Sequence, residues 1–312
     1  MQFSKPKFWG KKSFLAYLLF PFSVLILLLA YFKKKTTKSV EFNIPIICVG
    51  NIYIGGTGKT PTSIYLAKAL SKIGGNPVIL RKYYKDHIDE HEILQKNFDN
   101  VILNTDRTKG VLEAINKKYD SVILDDGFQD YKIKKDLNII CFNQNQLLGN
   151  GFVLPAGPLR DNLNSLKKAN LILINGKKDK KFEEKLSEIN GSLKVFYSKY
   201  VPTNLDQFKN KKLLGIAGIG NPENFFKLLS ENNLDLRESI VFPDHYKFKE
   251  EEVRKIIKSA DQNNLHIIMT EKDYYKIKKF NITNIEYLKI NLEITDKEKF
   301  LQTVKEIYDK KN

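Results

Sequence analysis

The chain has 312 residues, 42% of them apolar, and a formal net charge of +16. That length suits about two domains with a real core, and no Cys/His spacing marks a zinc site. The lysine excess favours acidic partners such as nucleic acid, anionic lipid or phosphorylated substrates, and it equally fits a lysine-, Asn- and Ile-rich composition.

Residues 1–13 are basic, with Lys5, Lys7, Lys11 and Lys12. Phe14 to Phe32 then reads FLAYLLFPFSVLILLLAYF, without a charge. As a helix this run measures roughly 28 Å, close to the hydrocarbon thickness of a bilayer. A signal peptide would have a shorter apolar run and a small-residue cleavage site, whereas this one ends in Tyr-Phe-Lys-Lys-Lys. The reading is a membrane anchor with basic flanks over 1–38. Lysines on both sides do not fix its orientation, but the glycine-rich loop that follows at Gly55 needs cytosolic ATP, so the catalytic part is expected to face the cytosol; Pro21 leaves a shallow or re-entrant insertion open.

Ile46 to Val49 is an apolar, β-branched run expected as a buried strand. Gly55-Gly56-Thr57-Gly58-Lys59-Thr60 follows, then a helical pattern with Ile64, Leu66, Ala67 and Leu70. Strand, glycine-rich loop and helix make a phosphate-binding arrangement, because curled backbone N–H groups and a helix N-terminus both favour an anion. Lys59 would reach the β/γ-phosphates and Thr60 would ligate Mg²⁺. The general pattern places Gly where Tyr53 stands, so a plain glycine-rich turn is the competing reading.

Pro77 to Leu80 is a second expected strand. Asp86, His87, Asp89, Glu90, His91 and Glu92 then open a helix. Acidic residues in a first turn suit the helix dipole, and their closeness to a phosphate loop equally admits base or metal roles. A strand at Val101–Leu103 and a helix at 108–118 lead to Ser121-Val-Ile-Leu-Asp125-Asp126-Gly127-Phe128-Gln129-Asp130. An apolar strand ending in Asp is where phosphate-loop enzymes hold Mg²⁺, although Asp is also a common turn residue. Strands at Asn138–Phe142 and Leu171–Ile174 flank an irregular Gly/Pro loop at 149–161. Its Arg160 is either a phosphate clamp or a surface arginine. Cys48 and Cys141 both fall in expected buried strands, as small core residues of a reducing compartment.

The stretch 177–188 reads as solvated and 202–212 as a linker. A second alternation follows, with strands at Leu213–Ala217 and His266–Met269 and helices at 223–229, 249–260 and 297–308. Alternating strands and helices argue for an α/β fold with a parallel sheet flanked by helices. The expected divisions are the anchor, a phosphate-loop core over 39–201, and a smaller α/β subdomain over 202–312. His245 lies in an aromatic, Pro-containing turn, where a lone His is commonly structural.

Six stretches carry a resemblance in order: GGTGKTP at 55–61, DDGFQD at 125–130, LPAGPLRD at 154–161, GIGNPENFF at 218–226, FPDHYKF at 242–248 and TEKD at 270–273. Together they resemble the tetraacyldisaccharide 4′-kinase (lipid A 4′-kinase) family over most of the chain. The resemblance implies a P-loop kinase that uses ATP and Mg²⁺ to phosphorylate the 4′-hydroxyl of a tetraacyldisaccharide 1-phosphate at the cytoplasmic face of the inner membrane. It implies Gly55, Gly56, Thr57, Gly58, Lys59 and Thr60 on the nucleotide, and Thr60, Asp125 and Asp126 on the metal. It maps a catalytic Asp–His dyad to Asp89 and His245, and places Glu90, Arg107, Gln129 and Arg160 toward the substrate. On this reading the dyad spans two domains, with a hinge near 200–212.

Departures are local. The family reads Arg-Gly-Tyr-Gly where this chain has Arg81-Lys82-Tyr83-Tyr84, and some two dozen residues usual before the Asp-Glu pair are nearly absent. Asp161 stands in place of Glu. The expected partners are the lipid disaccharide and inner-membrane lipid, with no nucleic acid and no protein partner. A membrane-attached ATPase switch is the alternative, but it would carry a signature lysine before the glycines, where Ile54 stands. A GTPase would need a guanine motif that neither 175–179 nor 270–273 matches.

Overall fold

A computed structural model describes residues 6–244 and 246–311. The chain forms two compact units, each discontinuous in sequence. A core unit takes 6–83, Asn97–Lys199 and 292–311; a second unit takes Tyr84–Lys96 and Tyr200–Asn291. This grouping takes the expected anchor segment into the core unit and differs from the continuous boundaries drawn from the sequence at two further places. The helix after residue 84 packs with the second unit, and the C-terminal helix packs with the core unit.

The core unit is built on β1 (Ile46–Gly50), β2 (Pro77–Lys82), β3 (Val101–Asn104), β4 (Ser121–Asp125), β5 (Leu137–Asn143), β6 (Leu171–Asn175) and β7 (Lys194–Pro202). With β12 (Ile290–Ile294) they form a sheet in the order β12-β7-β6-β5-β1-β4-β2-β3. From β3 to β7 every neighbouring pair is parallel. Ile46, Ile47, Cys48 and Val49 are fully buried, as a central strand covered on both faces requires. β1 pairs with β4 on one side and β5 on the other. Its carboxyl end is therefore the switch point where open α/β sheets bind ligands.

Helices α2 (Lys59–Lys72), α4 (Arg107–Asn116), α5 (Lys180–Ile189) and α9 (Lys297–Tyr308) belong to this unit. The stretch 177–188, expected as solvated, carries α5, whose Phe182 and Leu186 are buried among charged neighbours. In α9, Phe300 is fully buried, 5.2 Å from the Phe196 ring, and the Tyr308 hydroxyl donates to Asp120 at 2.6 Å.

α1 (Phe14–Thr36) runs through Pro21 without a break, capped by the Ser13 hydroxyl. One stripe faces protein: Ala16 and Ser23 are buried, and Leu19, Leu27 and Ala30 are partly so. The other apolar side chains, Phe14, Leu18, Phe22, Leu25 and Leu29 among them, are exposed. Ser23 Oγ donates to Val153 O at 2.7 Å and accepts from Ala156 N at 3.1 Å. Trp9 Nε1 donates to Pro155 O at 3.0 Å. The Gly/Pro loop is thus the seat of α1.

In the second unit β8 (Lys212–Ala217), β9 (Asp235–Val241), β10 (His266–Thr270) and β11 (Ile285–Leu288) form a parallel sheet, ordered β11-β10-β8-β9. α3 (Ile88–Asn97), α6 (Pro222–Glu231), α7 (Glu250–Gln262) and α8 (Glu271–Ile277) accompany it. Pro222 at the start of α6 and three glutamates in the first turn of α7 suit those helix starts. The 202–212 stretch, expected as a linker, is tied down by Phe208, which is 1% exposed in the core of this unit.

Candidate active site

In the core unit the chain leaves β1 at Gly50, where an added Cβ would come 2.4 Å from Phe128 Cβ. Only glycine lets the end of β1 approach the 126–129 turn so closely. Residues 52–54 then pair with 158–160: Ile54 N donates to Pro158 O at 2.9 Å and Arg160 N to Ile52 O at 2.7 Å. Tyr53 is buried in this pairing, bridged to Leu159. It is absent from the positive-φ residues, so it needs none of the freedom that the general pattern's first glycine supplies. Gly55 and Gly58 do take positive φ, 93° and 92°, and Gly58 caps the N-terminus of α2. Asn51 Nδ2 donates to Thr57 Oγ1 at 2.9 Å, and Gln129 Nε2 donates to Asn51 O at 2.7 Å. The loop is thereby held from below by two side-chain amides.

Lys59 and Thr60 open α2, placed to meet an anion at its N-terminus. Thr60 Oγ1 donates to Asp125 Oδ2 at 3.1 Å, and Ser63 Oγ to Asp125 Oδ1 at 3.1 Å. Asp125 is fully buried at the end of β4 and also forms an ion pair with Arg81 of β2. Asp126, with a positive φ of 59°, turns its carboxylate toward Lys59 at 3.7 Å and Arg160 at 2.9 Å. Burial works to raise the Asp126 carboxyl, but Lys59, Arg160 and Arg81 outweigh it and hold it well below the usual carboxylate range. Arg107 is buried; its guanidinium donates to Asp126 O at 2.7 Å and meets Asp130 at 3.3 Å. Arg107 and Gln129, both placed toward the substrate by the resemblance, here brace the 126–130 turn and the loop.

The donor set bears on Mg²⁺. A hydroxyl beside a carboxylate is a pair of hard oxygens, which suits an ion that keeps waters and phosphate oxygens as its other ligands. Among the described residues no group of three His, Cys, Asp or Glu is arranged to hold a metal. Thr60 and Asp125 fit such an ion. Asp126 is engaged by Lys59 and Arg160. The two cysteine thiols are buried and pushed up to about 12 by that burial, as inert core groups are.

The second unit carries a different cluster. Asp89, in the first turn of α3, is buried, and Glu90 beside it meets His87 Nδ1 at 3.2 Å. Lys272 of α8 lies 3.3 Å from Glu90, 3.3 Å from Asp244 and 3.9 Å from Asp89. Lys276, one turn on, lies 3.9 Å from Asp89 and 2.8 Å from Asp273. Asp273 is fully buried and accepts from Gly218 N at 2.7 Å and from the Thr270 hydroxyl at 2.7 Å. Burial disfavours the Lys272 charge, but Glu90, Asp244, Asp89 and Asp273 overcome it and raise its pKa above the ordinary lysine range. His245 lies outside the described residues. Sequence reasoning gave no role to Asn51, Ser63, Arg81, Lys272 or Lys276. Arg81 and Lys272 stood in quoted motifs; Asn51 and Ser63 carry no local signal, because the strand–turn geometry alone brings them into place.

A sequence model of the family described as Tetraacyldisaccharide-1-P 4′-kinase matches residues 15–99 and 89–309. The two segments overlap over 89–99. The tetraacyldisaccharide 4′-kinase of Pelagibacter ubique (strain HTCC1062) is 40% identical over 301 residues, covering 95% of each chain. That of Rickettsia akari (strain Hartford) is 34% identical over 308 residues, covering 93% of each. Among solved structures, LpxK from Aquifex aeolicus, crystallised in complex with ATP, superposes with a TM-score of 0.69 at 26% identity. The superposition covers 94% of this chain and 99% of that one.

Proposed function

The chain belongs to the tetraacyldisaccharide-1-P 4′-kinase family, and from that premise we propose that it transfers the γ-phosphoryl group of ATP to the 4′-hydroxyl of a tetraacyldisaccharide 1-phosphate in lipid A biosynthesis. The observation that carries the chemistry is the bonding of Asp125 to Thr60 and Ser63 at the mouth of a phosphate loop. Phosphoryl transfer needs positioning and charge neutralisation more than covalent help. The amides of Gly55 to Gly58 and the α2 N-terminus would cradle the phosphates, and Lys59 would leave Asp126 to meet the β/γ oxygens. Mg²⁺, when bound with the nucleotide, neutralises charge on the same oxygens, and Thr60 and Asp125 are the residues that would hold it.

Asp89 is proposed as the base that accepts the sugar hydroxyl proton, with His245 as its partner on the strength of the resemblance. Lys272 and Lys276 each lie 3.9 Å from its carboxylate and fix its direction, as a general base requires. Glu90 and Arg160 are proposed on the substrate.

α1 is proposed to seat the enzyme on the cytoplasmic face of the inner membrane. A four-chain lipid leaves a bilayer at a cost of about 0.8 kcal/mol per buried CH₂, so the enzyme goes to the lipid. Because the stripe from Ala16 to Ala30, about 21 Å long, is turned to protein and its Ser23 bonds Val153 and Ala156, α1 suits an interfacial helix with its open face in the acyl region.

The test is incubation of the purified protein with Mg²⁺-ATP and tetraacyldisaccharide 1-phosphate in detergent micelles, read by mass spectrometry. A lipid product carrying one additional phosphoryl group is expected. ATP hydrolysis with the lipid unchanged would overturn the reading.

A further inference from the structure

At the C-terminal end of α1, three lysines from three segments of the core unit converge on one aromatic ring. Lys168 Nζ lies 5.2 Å from the Tyr131 ring centroid, Lys34 Nζ 5.8 Å and Lys135 Nζ 6.0 Å. The Tyr131 hydroxyl donates to Asp161 at 3.1 Å, which fixes the ring. Lys135 is anchored beneath, donating to the carbonyls of Asp130 and Phe128. Lys34 and Lys168 repel each other; Asp161, engaged by the Tyr131 hydroxyl, attracts Lys168, but among the described residues neither lysine has a carboxylate within salt-bridge range. Partial burial first, then Lys34 and Lys135, bring the Lys168 ammonium down to about 8. Like charges held this close oppose folding unless an anion is shared between them.

The surroundings say which anion. Lys34 ends a helix whose open face is apolar, so the cluster sits where lipid headgroups would lie. Asp161 follows Arg160, which binds Asp126 next to Lys59. A continuous line of contacts therefore joins the lysines to the phosphate loop. We infer that Lys34, Lys135 and Lys168, gathered round Tyr131, form a binding site for a phosphate group carried by a lipid. Ammonium groups on a fixed ring accept the tetrahedral oxygens of a phosphate, and the ring covers the stems of the lysines. This deepens the proposed function and rests on it. The phosphate is either the 1-phosphate of the acceptor or the headgroup phosphate of a membrane phospholipid.

The experiment compares wild type with the double variant Lys34→Gln/Lys168→Gln. Both lysines are exposed, and Lys135 is left in place to hold its turn. A control, Lys178→Gln/Lys181→Gln, removes two charges elsewhere. One arm measures KM for the acceptor in neutral-detergent micelles, with and without its 1-phosphate. The other measures sedimentation with phosphatidylcholine vesicles, with and without phosphatidylglycerol. If the acceptor phosphate is the ligand, KM rises about tenfold for the phosphorylated acceptor alone, with kcat within about twofold. If the phospholipid is the ligand, binding to phosphatidylglycerol vesicles falls about tenfold while KM in neutral micelles holds. Wild-type behaviour in both arms, or an equal loss in the control, overturns the inference. A wild-type protein that phosphorylates no acceptor sinks the kinase reading instead, and the vesicle arm still reports on the lysines.

Discussion

Two charged residues in this chain do their work by holding others. Asp126 sits among Lys59, Arg160 and Arg81, and their attraction lowers its carboxyl pKa. A depressed carboxylate contributes stability that is present above its unfolded pKa and lost as pH falls through the folded value. Asp126→Asn leaves Lys59 and Arg160 without their shared carboxylate and should cost about 2 to 3 kcal/mol. Melting of the two proteins should show a gap that is constant from about pH 5 to 8 and narrows only below about pH 4, near the unfolded carboxylate value. A gap that widens in acid would mean that Asp126 is not the ionised partner. Lys272 has the reverse arrangement, one cation facing Glu90, Asp244 and Asp89. Lys272→Met should lower kcat by about ten- to a hundredfold while KM for ATP holds, because Asp89 would lose the charge that fixes its direction. Lys272→Arg should recover part of the rate. Steady-state kinetics with saturating lipid decides it: a methionine variant with wild-type kcat removes Lys272 from the positioning of Asp89.

At the scale of elements, the phosphate loop and the anchor helix are each fastened by contacts that a sequence pattern does not display. Asn51 bonds Thr57 and is itself held by Gln129. Asn51→Ala should raise the ATP dissociation constant about five- to thirtyfold by loosening the loop, with little change in KM for the lipid, and calorimetric titration of ATP would measure it. Ser23 is 1% exposed in the middle of an apolar helix and bonds both Val153 and Ala156. Ser23→Ala should destabilise the protein in detergent by about 1 to 3 kcal/mol, seen as a lowered Tm. An α1 that merely tethered the chain would leave Tm unchanged. The central strands, the phosphate loop, and α2, α4, α6, α7 and α9 were legible because buried β-branched runs, glycines at positive φ and 3.6-residue periodicity are local signals. β9 (Asp235–Val241), most of whose residues are exposed, and the short β11 were not, because their pairing with β8 and β10 is a long-range property. The positions of Lys59 and Thr60 at the start of α2 and of Asp125 at the end of β4 were legible for the same local reason. The bracing by Asn51 and the cation at Lys272 were not, since strand order alone brings those partners together.

For the molecule as a whole, domain membership was the least legible property. Segments 84–96 and 292–311 each join a unit distant in sequence, and neither composition nor a linker announces the change. Net charge, by contrast, is a property of the whole chain and acts at long range. With +16 overall and Lys33, Lys34 and Lys35 closing α1, the proposed attachment to a bilayer would have two parts: burial of the open apolar face and attraction to anionic headgroups. Salt screens the second and leaves the first, because the Debye length shrinks to about 3 Å at 1 M ionic strength while apolar burial is unaffected or strengthened. Sedimentation with phosphatidylglycerol-containing vesicles should therefore weaken as KCl rises and level off at the affinity seen for phosphatidylcholine alone, which should barely respond to salt. Complete release from the anionic vesicles at high salt would mean that the open face of α1 does not enter the acyl region. Salt-independent binding to both would mean that the lysines at its end face away from the membrane surface.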